Sequence, residues 1–76
     1  MQEAVVMDPK PVKFFYLNHK DEMALRRVLL ESVCWGTCPP WHPEWDYLLT
    51  GHDLDRGEKR TFALSRVKSA ITVEGS

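Results

Sequence analysis

The strongest constraint on the fold is a pair of segments with alternating apolar and polar side chains, separated by a turn that contains Gly57. Residues 45–49 and residues 59–64 each place apolar side chains at alternate positions of an extended chain. Between them, Asp55-Arg56-Gly57 can form a three-residue hairpin loop with a bulge, because Gly57 accepts a positive φ. The pattern therefore predicts an antiparallel β-hairpin.

The rest of the chain adds further extended segments. Residues 12–17 are rich in aromatic and branched side chains, which is typical of a strand. Residues 23–33 predict a long bent strand with apolar side chains on both faces, and a helix over residues 21–30 is the alternative. The remaining predictions are a loose arm at 1–11, a turn at 18–22, a proline-rich loop at 36–43, a turn at 65–69 and an edge strand at 70–73.

Length and composition limit the chain to one small domain. The chain has 76 residues, of which 43% are hydrophobic. Because a chain this short buries a smaller fraction of its surface than a larger domain, we expect a small core. No apolar run approaches the roughly 20 residues that a membrane span needs. Several short strands without a convincing long helix favour a barrel, which leaves few exposed sheet edges. We expect a mainly β fold, with a flexible arm over residues 1–11 and a five-stranded barrel over residues 12–73.

The charge is balanced overall but unevenly distributed. Ten basic and eleven acidic side chains give a net charge of −1, which provides no general attraction for nucleic acid. Residues 59–73 nevertheless contain four basic side chains and no acidic one, and Arg26 and Arg27 form a second basic pair. A local basic face is one interpretation, and solvated charges spread over the strands are the other.

Arginine side chains are the first candidate ligand contacts. Arg60, with Arg26 or Arg27 on a neighbouring strand, could form a guanidinium fork toward a phosphate or carboxylate. The alternative is that Arg60 is partly buried and paired with Asp46 or Asp53.

Aromatic rings are the second candidate contacts, because a base can stack on them. Trp35 and Trp41 lie beside glycine and proline and are expected to be exposed. Tyr16 and Tyr47 are further candidate rings. For Trp45, Tyr47 and Phe62 we favour positions in the core, since large rings supply most of the buried area of a small domain.

Two cysteines and three histidines give only weak signals for chemistry. Without a recognisable secretory signal a reducing cytoplasm is expected, so Cys34 and Cys38 are predicted to be thiols. Their spacing with His42 and His52 leaves a zinc site as an alternative, although zinc pairs usually have two intervening residues. A thiol catalyst with His42 is conceivable, but nothing marks either thiol as activated. His19 and the other histidines are expected to be solvated or structural, so we predict no enzyme, no metal and no cofactor.

Six stretches of the chain, taken in order, resemble the WYL domain. They are Phe15-Tyr16-Leu17-Asn18-His19-Lys20-Asp21-Glu22, Arg26-Arg27-Val28, Trp41-His42-Pro43-Glu44, Trp45-Asp46-Tyr47-Leu48-Leu49, Asp53-Leu54-Asp55 and Arg60-Thr61-Phe62-Ala63-Leu64. The resemblance covers about residues 12–68 and is closest to stand-alone members from bacteria and their phages. The family's tryptophan-tyrosine-leucine motif falls on Trp45, Tyr47 and Leu48, with Asp46 inserted, and its strand arginine falls on Arg60.

The resemblance implies a five-stranded Sm-like barrel and a ligand-sensing role. WYL domains usually act within bacterial transcription regulators and defence proteins, and several are thought to bind nucleic acid or nucleotide-like ligands. We therefore expect a regulatory module for a nucleotide or single-stranded nucleic acid. Longer relatives carry a helix-turn-helix domain, for which this chain has no room, so groove recognition is not expected. The expected ligand-binding residues are Arg26, Arg27, Arg60, Tyr47, Trp35 and Trp41.

A second class of function remains open. The chain could be a protein-interaction or assembly unit whose sheet edges pair with another chain. Residues 71–73 are the candidate free edge.

Overall fold

The computed structural model describes residues 4–40 and 42–74, and for residues 4–7 the backbone alone. The strands are β1 (Ala4–Leu17), β2 (Met23–Cys38), β3 (His42–Asp53), β4 (Glu58–Ala63) and β5 (Thr72–Val73), with a 3-10 helix at Leu64–Arg66. The strands form one antiparallel sheet in the order β4-β3-β2-β1-β5. The mainly β prediction is confirmed, and the alternative helix over residues 21–30 is excluded. Within the described ranges, no helix is long and apolar enough to cross a membrane.

The turn between β1 and β2 is fixed by one side chain, as residues 18–22 predict. The Oδ1 atom of Asn18 accepts hydrogen bonds from the backbone N–H groups of Lys20 and Glu22, both at 2.9 Å. Asp21 has a φ of 59°, a left-handed conformation that aspartate tolerates better than most residues. This turn sets the register that places Phe14 opposite Arg26.

The core lies on the concave face of the sheet. Phe14 and Phe62 meet edge to face, with ring centroids 5.4 Å apart. The buried core residues are Val12, Phe14, Val28, Leu30, Leu49 and Phe62. Phe62 is therefore in the core as predicted, whereas Trp45 and Tyr47 are 54% and 51% exposed. The core prediction for those two rings is wrong because both lie near the end of the β2–β3 pair that contains Cys38 and His42, where the core cluster does not reach.

The strands β2 and β3 approach each other closely at Gly51. At Gly51, a Cβ atom would collide with the carbonyl oxygen of Leu29 and lie 2.8 Å from Cγ1 of Val28. The ladder between the strands shifts register between Leu30 and Ser32. A bulge of this kind bends a strand and increases its twist, which explains why β2 has apolar residues on both faces.

The predicted closed barrel is not formed. Among the described strands no ladder joins β4 to β5. After β4 the chain turns through the 3-10 helix and returns along β1, where Tyr16 bridges Val67. Side chains join the ends of β1 and β4: the N–H of Ala63 donates to the hydroxyl oxygen of Tyr16 at 3.0 Å, and the rings of Phe14 and Tyr16 pack on Phe62. The 3-10 helix at residues 64–66 directs the chain away from β4, so the described strands β4 and β5 do not pair and the curved sheet stays open.

Several predicted boundaries also differ from the structure. The predicted arm over residues 1–11 belongs to β1 from Ala4 onward, where it pairs with β2; residues 1–3 lie outside the described part. Pro9 fits this strand because it lies within a register shift, where no ladder N–H is required. The predicted proline loop at 36–43 is shorter, since β2 extends to Cys38 and β3 begins at His42.

The β3–β4 loop has four residues rather than three. Asp53 pairs with Glu58, and the Oδ1 atom of Asp53 accepts hydrogen bonds from the N–H groups of Asp55 and Arg56 at 3.0 and 3.1 Å. Gly57 has a φ of 70°, which confirms the predicted role of the glycine.

Candidate anion-binding site

A cavity of about 210 Å³ opens beside the core, lined by residues from β1, the β1–β2 turn, β2, β3, β4 and the 3-10 helix. Three arginines and two histidines line it: Arg26, Arg60, Arg66, His19 and His42. The other lining residues are Tyr16, Asn18, Cys38, Thr61 and Phe62. None of these described lining residues is acidic, so the lining is positively charged, although Glu58 and Asp21 contact Arg60 and Arg66 from outside it.

Arg26 is the buried arginine of this cavity. It alternates with Val28 on the inner face of β2 and is only 9% exposed. Its Nε atom is buried and has no hydrogen-bond partner, and among the described residues no carboxylate lies within ion-pair distance of its guanidinium. A buried cation without a partner is costly, and it is retained mainly where a ligand or another role requires it.

Arg60 and Arg66 complete the arginine set from two other elements. Arg60 lies two residues before Phe62 on β4, hence on the same face, and Nη1 is 3.4 Å from a carboxylate oxygen of Glu58. Arg66 is held more firmly by the β1–β2 turn. Its guanidinium donates to the carbonyl oxygens of Leu17 and Asn18 and to Asp21 Oδ1. Arg66 is therefore positioned by several hydrogen bonds, whereas Arg60 has one long contact with Glu58.

His42 lies opposite Cys38 at the end of the β2–β3 pair. Its Nε2 atom is 3.3 Å from Oδ2 of Asp46, whose side chain is only 14% exposed. The same carboxylate accepts hydrogen bonds from the N–H groups of Tyr47 at 2.7 Å and Ser65 at 3.0 Å. Burial opposes ionisation of Asp46, but these bonds and the charge of His42 more than offset it and lower the pKa of Asp46. Asp46 thus tethers the 3-10 helix to β3 behind the cavity.

The structure brings together two of the three predicted arginines. Arg26 and Arg60 both line the cavity, and Arg27 does not. Arg27 alternates onto the outer face of β2, where Nε is 3.2 Å from Glu74 and Nη1 is 3.8 Å from Asp55. The hydrogen bond with Glu74, helped by the charges of both carboxylates, raises the pKa of Arg27.

Sequence reasoning missed three cavity residues. Arg66 belongs to the basic segment 59–73, but its position follows from hydrogen bonds to backbone carbonyls, which no side-chain pattern records. His19 and His42 come from a turn and a strand end that meet through the bend of the sheet. The run of basic residues without an acid was the available signal for Arg66.

Of the candidate rings, Tyr16 lines the cavity, whereas Trp35 and Tyr47 lie elsewhere. Trp35 is directly opposite Tyr47, with centroids 5.0 Å apart, and stacks on Trp45 at 6.2 Å. All three rings are exposed, as predicted for Trp35, and none lines the arginine cavity. Trp41 lies outside the described residues.

The cysteines and histidines do not assemble a metal centre in the described part of the chain. No group of three potential His, Cys, Asp or Glu ligands occurs there. Cys34 and Cys38 are both half-buried thiols, and neither is in a disulfide.

The arginine cavity is the candidate anion-binding site of the described fold. It contains the buried Arg26, whose Nε atom has no partner, Arg66, which is held by hydrogen bonds, and Arg60. Comparison of the chain with protein-family models, with curated proteins and with solved structures finds no match.

Proposed function

We propose that this protein is a small regulatory module that binds a phosphate-bearing ligand of the nucleotide class in the arginine cavity. The observation that supports this most is Arg26, which is buried and has an unpartnered Nε. A guanidinium presents parallel N–H donors that match two oxygens of one phosphate. An incoming phosphate would supply the acceptor that the Nε atom of Arg26 lacks, and Arg60 and Arg66 would add further positive charge beside it.

The geometry favours a small ligand over a long single strand. The positive charge is local and concave, while the whole chain has a net charge of −1. The exposed rings of Trp35, Trp45 and Tyr47 form a separate cluster, so they do not extend the cavity into a stacking groove. A phosphate group fits within about 210 Å³, with the sugar and base at the mouth.

The proposal also includes a protein family and a cellular location. We assign the chain to stand-alone WYL-like domains of bacterial or phage origin, with a bent Sm-like sheet and a non-enzymatic, cytoplasmic role. Supporting features are the five antiparallel strands and the position of Arg60, the family's strand arginine, at the cavity.

Titration of isotope-labelled protein tests the ligand. Inorganic phosphate and adenosine monophosphate at low salt should shift the side-chain signals of Arg26, Arg60 and Arg66, and uncharged adenosine should not. Arg26→Met should weaken binding at least tenfold, whereas Arg27→Met on the outer face should leave it unchanged. The proposal fails if no phosphate-bearing probe moves these signals.

The assembly function is a second candidate because the sheet is open. No described strand pairs with the outer edge of β4, which is available to another chain. Glu58, Lys59 and Arg60 on that strand act against it, since charged edge residues discourage pairing. A mass that rises with concentration in light scattering would favour this candidate, and a constant monomer mass would exclude self-assembly.

A further inference from the structure

One nucleophilic side chain in the cavity has no part in the proposed function. Cys38 is half-buried, lines the cavity and lies directly opposite His42. The other cysteine, Cys34, is also half-buried but does not line the cavity. The chain therefore contains two thiols of similar exposure in different electrostatic surroundings.

The cavity also contains an independent feature that points to an anion. Arg26 is nine-tenths buried and its Nε atom has no partner, while Arg60 and Arg66 add further positive charge. These arginines line the same cavity as Cys38, and the carboxylates that contact Arg60 and Arg66, those of Glu58 and Asp21, do not line it. Such a site concentrates small anions and stabilises negative charge that forms next to it.

We propose that Cys38 is a thiolation site selective for small anionic disulfides, of which oxidised glutathione is the representative. The carboxylates of the disulfide bind the arginines, and this places its sulfur–sulfur bond beside Cys38. The proposal goes beyond the proposed function, because it requires the charge of the cavity and not a bound phosphate.

The reaction is a thiol–disulfide exchange. Cys38 loses its proton, and its sulfur attacks one sulfur of the disulfide to form a new S–S bond. The old S–S bond breaks, and the released half leaves as a thiolate that takes up a proton from solvent. Cys38 is oxidised and the released half is reduced, so no further oxidant is needed. The arginines favour this step by stabilising the leaving thiolate and the incoming carboxylates.

Two single-cysteine proteins provide the test. Cys34→Ser leaves Cys38 alone, and Cys38→Ser leaves Cys34 alone. Each is reacted with dithiobis(nitrobenzoate), whose halves carry a carboxylate, and with uncharged dithiodipyridine. The ratio of the anionic to the neutral rate constant should be about tenfold higher for Cys38 than for Cys34, and it should fall with added salt. Oxidised glutathione should then modify Cys38 preferentially, as measured by mass spectrometry.

Arginine variants show whether the cavity is responsible. Arg26→Met and the more exposed Arg60→Gln, both in the Cys34→Ser background, should each lower the ratio toward that of Cys34. Equal ratios for the two cysteines, or a ratio that neither variant changes, would overturn the proposal. Phosphate binding by Cys38→Ser is measured separately, so a failure of the thiol proposal is distinguishable from a failure of the ligand proposal.

Discussion

At the scale of single residues, Arg26 combines a central position on β2 with an incomplete set of partners. Its neighbours on the inner face of the strand, Val28 and Leu30, belong to the apolar core. Replacing a buried cation with an apolar side chain of similar volume is often stabilising, while removing the cation destroys its capacity to bind an anion. Under the proposed function, stability and ligand binding therefore favour different side chains at this position.

The first prediction follows from this conflict. Arg26→Met should raise the free energy of unfolding by about 1 kcal/mol in the absence of ligand, because it removes an unpaired buried charge. Urea denaturation with and without phosphate measures both effects, since phosphate should stabilise the unmodified protein and not the variant. A loss of more than about 2 kcal/mol without ligand would show that Arg26 has an internal structural role instead.

At the scale of elements, Asp46 links β3 to the 3-10 helix through a carboxylate whose pKa lies below its ordinary value. Because the folded protein favours the ionised form, the associated stability is complete above the pKa of the unfolded chain. It is lost as the pH falls through the lower pKa of the folded state. Asp46→Asn should cost about 1 kcal/mol at neutral pH and nothing in strong acid. Urea midpoints measured from neutral pH downward test this, and a constant difference between the proteins would contradict it.

The bend between β2 and β3 gives a second prediction for an element. At Gly51 a methyl group would meet Leu29 and Val28, so Gly51→Ala should destabilise the fold by about 3 kcal/mol. Gly57→Ala is the matched control. Gly57 has open space around it and a positive φ, so only backbone strain of about 1 kcal/mol is expected. Thermal denaturation of both variants should show this order, and a smaller effect at Gly51 would mean that the strands can separate without cost.

The secondary-structure elements could be predicted from the sequence, whereas the cavity could not. Strand type and the two turns follow from local rules, since Asn18 and Gly57 supply hydrogen-bonding and conformational properties that few residues share. The cavity does not follow from them. Arg66 is held at the cavity by hydrogen bonds to backbone carbonyl oxygens. The exposure of Trp45 depends on where the core ends and not on alternation within the strand. Long-range geometry of this kind has no signature in residue spacing.

At the scale of the whole molecule, a weakly negative chain contains a compact positive site. A mononucleotide and a longer oligonucleotide should therefore bind with similar affinity, because only phosphates inside the cavity meet the arginines. The logarithm of the binding constant should fall with the logarithm of salt concentration with a slope of about −1 for both ligands. Calorimetry at several salt concentrations measures the slope. A steeper slope for the oligonucleotide would indicate a long basic track instead of a cavity.

The missing ladder between β4 and β5 has a consequence for the wall of the cavity. The ends of β1 and β4 meet beside the cavity through the amide of Ala63 and the phenol of Tyr16, which itself lines the cavity wall. One such bond contributes about 1 kcal/mol, far less than a row of backbone pairs. The rings of Phe14 and Tyr16 also pack on Phe62, so aromatic side chains, and not a backbone ladder, close this wall of the cavity.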